Sequence, residues 1–282
     1  MRIGIAGLGI IGTRMAANWR KAGHEVLGWN RTRARAEGLG LPLYGTPAEL
    51  AAPSDVVVIV VADPPAVHSV IAGAQGIASI ALRGKMVLNA STVDAATNRK
   101  AAAAVEAAGG RFLETPFTGS KTGAESATLV FFVGGDEGVF RRAEPLLLQV
   151  GRKAFHFGPV GAAADTKLAM NLILANYMQA MAEGFLYARK AGVDMQTFVE
   201  AFRLNAGWCP LAELKVPKII GRDFSPHFRL KHMDKDLRLA LERAEETGAE
   251  LPHTLHLKEL FNEAMERGWG DEDFAVLCRA LE

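Results

Sequence analysis

The apolar positions of this chain follow two different periods, and the change between them falls near residue 160. Before it, short apolar runs recur at 3–6, 25–29, 55–61, 86–89, 111–114, 129–133 and 154–157, and these read as strands. After Asp55 the third run is all valine and isoleucine, the mark of a strand buried on both faces of a parallel sheet. Helical patterning fills 13–22, 65–71, 95–108 and 137–148. Strands alternating with helices predict a doubly wound α/β domain with a parallel sheet.

Past Gly158, Pro159, Val160 and Gly161 no strand pattern returns. One long helix is expected over 164–191, closed by Gly192, and Asp194 suits the cap of the next, 195–202. A further helix is expected over 234–247, where Leu237, Ala240, Leu241 and Ala244 repeat at helical spacing. A last pair covers 253–267 and 271–281, so the second half is expected to be all-α. The expected division is 1–160 and 161–282, joined by the long helix.

The first strand runs straight into Gly7, Leu8, Gly9, Ile10, Ile11 and Gly12, then a helix, a turn and a second strand. In that setting each glycine has its own physical reason. Gly7 permits a tight turn, Gly9 allows close approach to a pyrophosphate, and Gly12 lets helix and strand pack closely. The helix N-terminus then offers free N–H groups and a positive dipole end to phosphate. The first domain is therefore expected to be of the Rossmann type. The second strand ends at Asn30, Arg31 and Thr32, where a carboxylate would hold the ribose 2′-OH of NAD. A guanidinium and a hydroxyl suit a 2′-phosphate instead, so NADP(H) is favoured over NAD(H).

Composition narrows the classes. The 282 residues carry a formal net charge of +1, with charges evenly mixed, so neither a nucleic-acid surface nor a polybasic membrane patch is expected. The longest unbroken apolar run, 56–62, is too short to span a bilayer. The first strand begins at once, leaving no signal peptide, and Cys209 and Cys278 form no metal or redox motif. A cytoplasmic protein without a metal is expected. The long apolar helix suggests a homodimer or homotetramer.

Four further segments hold candidate chemistry. Asn89, Ala90, Ser91, Thr92 and Val93 follow a strand, at the edge where ligands of open α/β sheets bind. Glu114, Thr115, Pro116, Phe117, Thr118, Gly119, Ser120 and Lys121 follow another, offering hydroxyls and exposed N–H groups to a carboxylate. Lys167 and Asn171 lie four apart, on one face of the long helix, although a lone lysine there is ordinarily solvated. Lys235 and Asp236 sit in a later helix, with Phe228 upstream.

Together these segments resemble the β-hydroxyacid dehydrogenase family over essentially the whole chain. The glycine motif, the substrate loop ending in Ser120, the segment 161–171 and the stretch 228–236 each match a family signature. The Gly-Ser-Lys of the loop, Asn30-Arg31-Thr32 and the Leu-Lys-His before Lys235 and Asp236 are most similar to the glyoxylate and succinic semialdehyde reductase branch. The resemblance implies that Lys167 is the catalytic general acid and that Asn171 orients the substrate. It implies that Thr118, Gly119 and Ser120 hold a carboxylate, that Thr92 and Lys235 contact the nicotinamide half of the cofactor, and that Phe228 and Asp236 line or organise the site. Glu114 stands where many members have Asp, and Phe117 and Thr118 replace the common Val-Ser.

The chemistry agrees. Hydride arriving at a carbonyl carbon leaves negative charge on oxygen, which a lysine ammonium stabilises and protonates. The expected activity is NADPH-dependent reduction of a small aldehyde acid, such as glyoxylate or succinic semialdehyde, to the hydroxy acid. Oxidation of 3-hydroxyisobutyrate, serine or a related β-hydroxyacid is the alternative. A non-catalytic NADPH-binding module would be expected to lack Lys167, and that lysine also argues against imine reduction.

Overall fold

The structure, a computed structural model, describes residues 1–281. The chain divides into two units, Met1–Lys167 and Leu168–Glu282. The division falls within a helix rather than in a loop.

The first unit opens with β1 (Arg2–Ala6), α1 (Ile10–Lys21) and β2 (Glu25–Trp29), followed by α2 (Pro47–Ala51), β3 (Val56–Ile59) and α3 (Pro64–Ala72). Next come β4 (Met86–Asn89), α4 (Ala95–Ala107), β5 (Arg111–Glu114), β6 (Phe117–Thr118) and α5 (Ser120–Glu125). It continues through β7 (Leu129–Gly135), α6 (Glu137–Leu147) and β8 (Gly151–His156) into the start of α7 (Ala162–Lys190). Aspartates begin three of these helices: the side chains of Asp63, Asp94 and Asp136 accept from the backbone N–H of Ala66, Thr97 and Val139.

The sheet runs β2-β1-β3-β4-β5-β7-β6, with β8 beside β7. The pairs from β2 to β5 are parallel, as is β7 with β8, while β5 and β6 each meet β7 antiparallel. The expected parallel sheet thus holds for the first five strands, while β7 and β8 run the opposite way. Between β5 and β7 the chain forms only two-residue β6 and six-residue α5, too little helix for a crossover that packs back on the sheet.

Alternate strand residues feed opposite cores. Ile3, Ile5, Val56, Val58, Leu88 and Leu113 lie in one cluster with Met15, Trp19 and Phe131. Val57, Ile59, Val87 and Phe112 lie in another with Val67, Ile71 and Val105. A strand covered on both faces has no polar side to show, which is why the valine run is unbroken.

The second unit holds the rest of α7 with α8 (Met195–Arg203), α9 (Pro210–Gly221), α10 (Leu230–Thr247), α11 (Pro252–Glu266) and α12 (Leu277–Ala280). Asp194 caps α8 through the N–H of Thr197, as expected. The core gathers Met178, Met181, Phe185, Leu237, Phe261 and Phe274. Helix α9 was not visible in the sequence: Pro217 sits inside it, and two of its buried positions are Lys215 and Lys218, so its apolar stripe is disguised. The helix expected over 271–281 is a correction. That stretch forms two 3₁₀ turns, Trp269–Asp271 and Phe274–Val276, before the short α12. Asp273 explains the break, because its backbone is extended while its fully buried carboxylate serves other segments. No helix among the described residues is long and apolar enough to cross a membrane.

Candidate active site

Strands β1 to β5 run in one direction, so their carboxyl ends share one edge of the sheet. At that edge, the strand order reverses about β1, which feeds Gly7. Gly7 has φ +110°, and a Cβ there would stand 2.1 Å from the Val60 carbonyl oxygen. At Gly12 a Cβ would stand 2.0 Å from the Gly7 carbonyl oxygen. Gly9 is different: a Cβ would meet nothing within 4 Å, and no side chain caps α1 there. Gly7 therefore lets the turn press against the end of β3 and Gly12 lets α1 press against the turn, while Gly9 opens the backbone at a helix N-terminus outward. That is the shape a pyrophosphate requires, so the residues present fit a nicotinamide dinucleotide.

Leu8 is buried and Ile10 exposed, while Ile11 is half-buried and packs on the core. The Leu8 N–H donates to Asn30 Oδ1 at 3.0 Å, and Asn30 Nδ2 donates to the Thr32 carbonyl at 2.8 Å. Asn30 thus braces the glycine loop against the turn that carries Arg31 and Thr32. Both of those side chains are exposed, and among the described residues Arg31 makes no hydrogen bond or ion pair. Along the same edge, Asn89 Nδ2 donates to Asn98 Oδ1 at 2.8 Å, and Asn89 Oδ1 accepts from the Ser91 N–H at 3.2 Å. The Val61 N–H donates to Ser91 Oγ at 3.0 Å, holding the segment that presents half-buried Thr92.

The expected substrate loop is more regular than a polar loop. Thr118 ends β6, Gly119 has φ +124°, and Ser120 opens α5 at φ +59°, a left-handed conformation unusual for serine. Asn18 Nδ2 donates to the Ala124 carbonyl at 2.8 Å and Arg14 pairs with Glu125 at 2.7 Å, so α5 is fastened to the dinucleotide helix α1. Lys167, also in this unit, is only 8% exposed. A solvated lysine is thereby excluded.

In the second unit, Asn171 is 2% exposed, and its Nδ2 donates to Asp236 Oδ2 at 2.6 Å. Lys235 Nζ lies 2.7 Å from Asp236 Oδ1. Three of the sequence candidates thus form one connected group, with the Asp236 carboxylate between an amide and an ammonium. Phe228 is half-buried, its ring 6.0 Å from Phe274 and 6.3 Å from His232. Burial pushes the His232 imidazole below its usual range, Lys235 adds to this, and Asp236 opposes it.

Two residues that sequence reasoning missed are Asp273 and Lys215, an ion pair at 2.6 Å that is almost wholly buried. Asp273 Oδ2 accepts from the N–H groups of His227 and Phe228 at 2.9 and 3.1 Å, and so sets the segment that presents Phe228. The only local signal was a pair of charges, and charged residues are common enough to carry no information alone. No group of three or more His, Cys, Asp or Glu side chains among the described residues is placed to hold a metal.

Comparison with known proteins agrees with this architecture. Residues 2–158 match the NAD binding domain of 6-phosphogluconate dehydrogenase, and residues 161–281 match the NAD-binding domain of NADP-dependent 3-hydroxyisobutyrate dehydrogenase. The chain belongs to the β-hydroxyacid dehydrogenase (3-hydroxyisobutyrate dehydrogenase-like) family. β-Hydroxyacid dehydrogenases are NAD(P)-dependent oxidoreductases, and this chain is one of them. It is 36% identical to glyoxylate/succinic semialdehyde reductase 2 of Arabidopsis thaliana, over 99% of this chain and 79% of that one. It is 34% identical to 2-hydroxy-3-oxopropionate reductase of Escherichia coli (strain K12), over 100% and 97% of the two chains. A solved family structure, 3-hydroxyisobutyrate dehydrogenase of Mycobacterium tuberculosis with L-serine, superposes with a TM-score of 0.89 at 30% identity, covering 100% and 99%.

Proposed function

We propose that this chain reduces a small aldehyde acid to the hydroxy acid with NADPH, using Lys167 as the proton donor. The observation that carries the reading is the burial of Lys167 at 8% exposure. Removing a long ammonium side chain from water is costly and needs a compensating role. For Lys215 that role is the Asp273 pair; for Lys167, in the segment 161–171 that resembles the family's catalytic signature, it is read as proton donation. The similarity to two reductases of small aldehyde acids supports the substrate class.

The dinucleotide would be held by Gly7, Leu8, Gly9, Ile10, Ile11 and Gly12 at the pyrophosphate, and by Thr92 and Lys235 at the nicotinamide end. When bound, it supplies hydride. Arg31 and Thr32 would receive the 2′-phosphate; their exposure, with no carboxylate at the end of β2, favours NADP(H) over NAD(H). Thr118, Gly119 and Ser120 would hold the substrate carboxylate through backbone N–H groups and hydroxyls. The Lys167 ammonium would donate its proton to the carbonyl oxygen as hydride reaches the carbon. Asn171, its amide set by Asp236, would orient the substrate without adding charge, and Phe228 would line the site.

The test is NADPH oxidation with glyoxylate, succinic semialdehyde and 2-hydroxy-3-oxopropionate, with wild type beside Lys167→Ala. Loss of a general acid lowers turnover by roughly 10²–10⁴-fold, and NADPH binding should persist. Full turnover in the variant would remove Lys167 from the chemistry. The reverse reading, oxidation of a β-hydroxyacid, is favoured by the likeness to a structure holding L-serine. It would prevail if only hydroxy-acid oxidation were efficient. We also propose a homodimer or homotetramer, since α7 leaves Met170, Ile173 and Tyr187 exposed at 44%, 66% and 77%. A monomer in light scattering at micromolar concentration would refute this.

A further inference from the structure

Glu114 ends β5, and its side chain is fully buried. Its Oε1 accepts three backbone N–H groups, from Gly161 and Ala163 at 2.8 Å and from Ala164 at 3.3 Å. These belong to the turn before α7 and its first residues, where a helix leaves donors without intrahelical partners. Caps ordinarily come from the residue just before a helix. This one comes from 47 residues upstream.

The surroundings are shaped for it. Gly134 pairs with Glu114 across β5 and β7, and a Cβ there would stand 2.3 Å from Oε1. The neighbouring strand thus leaves room for the carboxyl by having no side chain. Oε2 meets no donor among the described residues. Burial raises the carboxyl above the usual range, against the pull of the three N–H groups.

Lys167 lies four residues after Ala163, about one turn beyond these contacts. Glu114 is also the first residue of the expected substrate loop, 114–120. One side chain therefore joins the strand leading to that loop with the helix carrying the lysine. A helix advances about 1.5 Å and turns about 100° per residue, so a small slip at its first turn moves Lys167 by ångströms.

We propose that Glu114 is a positioning residue for Lys167, its Oε1 pinning the start of α7 to the end of β5. The proposal rests on the reading of Lys167 as proton donor, and its test separates the two. Glu114→Gln keeps an acceptor oxygen and the volume, while Glu114→Met keeps the length and removes the acceptor. Misplacement of a reacting group by about 1 Å can cost roughly 10²-fold, so Glu114→Met should lower kcat tenfold to hundredfold. Its Kd for NADPH, read by fluorescence, should stay near the wild-type value, and Glu114→Gln should restore kcat to near wild type.

A cycle with Lys167→Ala then decides how Glu114 acts. If it acts through Lys167, Glu114→Met should slow the Lys167→Ala enzyme hardly at all. Equal slowing in both backgrounds, or an unchanged kcat in folded Glu114→Met, would overturn the proposal. By contrast, full turnover in Lys167→Ala alone, or a wild type inert toward every aldehyde and hydroxy acid tried, would overturn the proton-donor reading. Hydrogen exchange needs no substrate: Glu114→Met should speed exchange in a peptide spanning 159–168, and unchanged protection there would also overturn the proposal. Should the Met variant fail to fold, Glu114→Asp, which withdraws the oxygen by one methylene, replaces it with a smaller expected loss.

Discussion

Replacing Asp273 by Asn should destabilise the helical unit by an amount that depends on pH. Lys215 and Asp273 have side chains 3% and 0% exposed, with Nζ 2.6 Å from Oδ1. The ammonium also lies 4.3 Å from the Phe274 ring centroid. Oδ1 accepts from the Ala275 N–H, and Oδ2 from those of His227 and Phe228. Asparagine has one acceptor oxygen, so whichever way it turns, some of these donors lose their partner.

The larger loss is the counter-charge. Burial already pulls the Lys215 ammonium below its usual range, and Asp273 opposes that pull. Without the carboxylate, the cheapest outcome is a neutral lysine. Neutralising a side chain of ordinary pKa near 10.4 at pH 7 costs about 3.4 units at 1.36 kcal/mol each, so close to 4–5 kcal/mol. That agrees with the roughly 3–5 kcal/mol typical of breaking a buried pair. For a unit of this size the melting temperature should fall by about 10–20 °C.

The sign against pH follows from the protons bound. In the variant, Lys215 is neutral when folded and protonated when unfolded, so stability rises with pH, by up to about 1.4 kcal/mol per unit. The gap to wild type should therefore shrink between pH 7 and 9. Urea unfolding followed by circular dichroism at pH 7, 8 and 9 measures it. A gap below about 1 kcal/mol at pH 7, or one that is constant with pH, would refute the reasoning. Lys215→Met combined with Asp273→Asn should cost less than Asp273→Asn alone, because no buried charge is then left without its partner.

Other outcomes are expected. Gly12→Ala sets a Cβ 2.0 Å from backbone that cannot yield, so NADPH affinity measured by fluorescence titration should fall at least tenfold; wild-type affinity would discard the packing role of Gly12. Arg31→Ala should weaken NADPH binding about tenfold or more while leaving NADH nearly unchanged, since one charge-assisted contact contributes about 2 kcal/mol; equal losses would remove Arg31 from the 2′-phosphate. Asp236→Ala frees the amide that Asn171 donates at 2.6 Å. Its kcat should drop about tenfold to hundredfold, and steady-state kinetics with unaltered kcat would sever that link. Glu114 carries a raised carboxyl, so the folded chain binds more protons than the unfolded one above pH 4.5, and this group's contribution weakens as pH rises. Glu114→Gln should thus gain melting temperature relative to wild type from pH 5 to 8, and a difference that is flat or opposite in sign would refute the assignment.

What was legible in the chain alone was whatever a short window can hold. The unbroken valine run announced a strand covered on both faces, and the glycines at 7, 9 and 12 announced a dinucleotide turn, because sterics and side-chain alternation act between near neighbours. The resemblance brought together Lys167, Asn171, Lys235 and Asp236. What the tertiary structure decided is how distant residues serve one another. The reversal of β7, the cap that Glu114 gives α7 from 47 residues away, the Asn171–Asp236 bond across 65 and the Lys215–Asp273 pair across 58 leave no local periodicity. Buried lysines even erased the apolar stripe of α9. A charge reads as surface in any short window, and only the folded chain supplies the partner that lets it be buried.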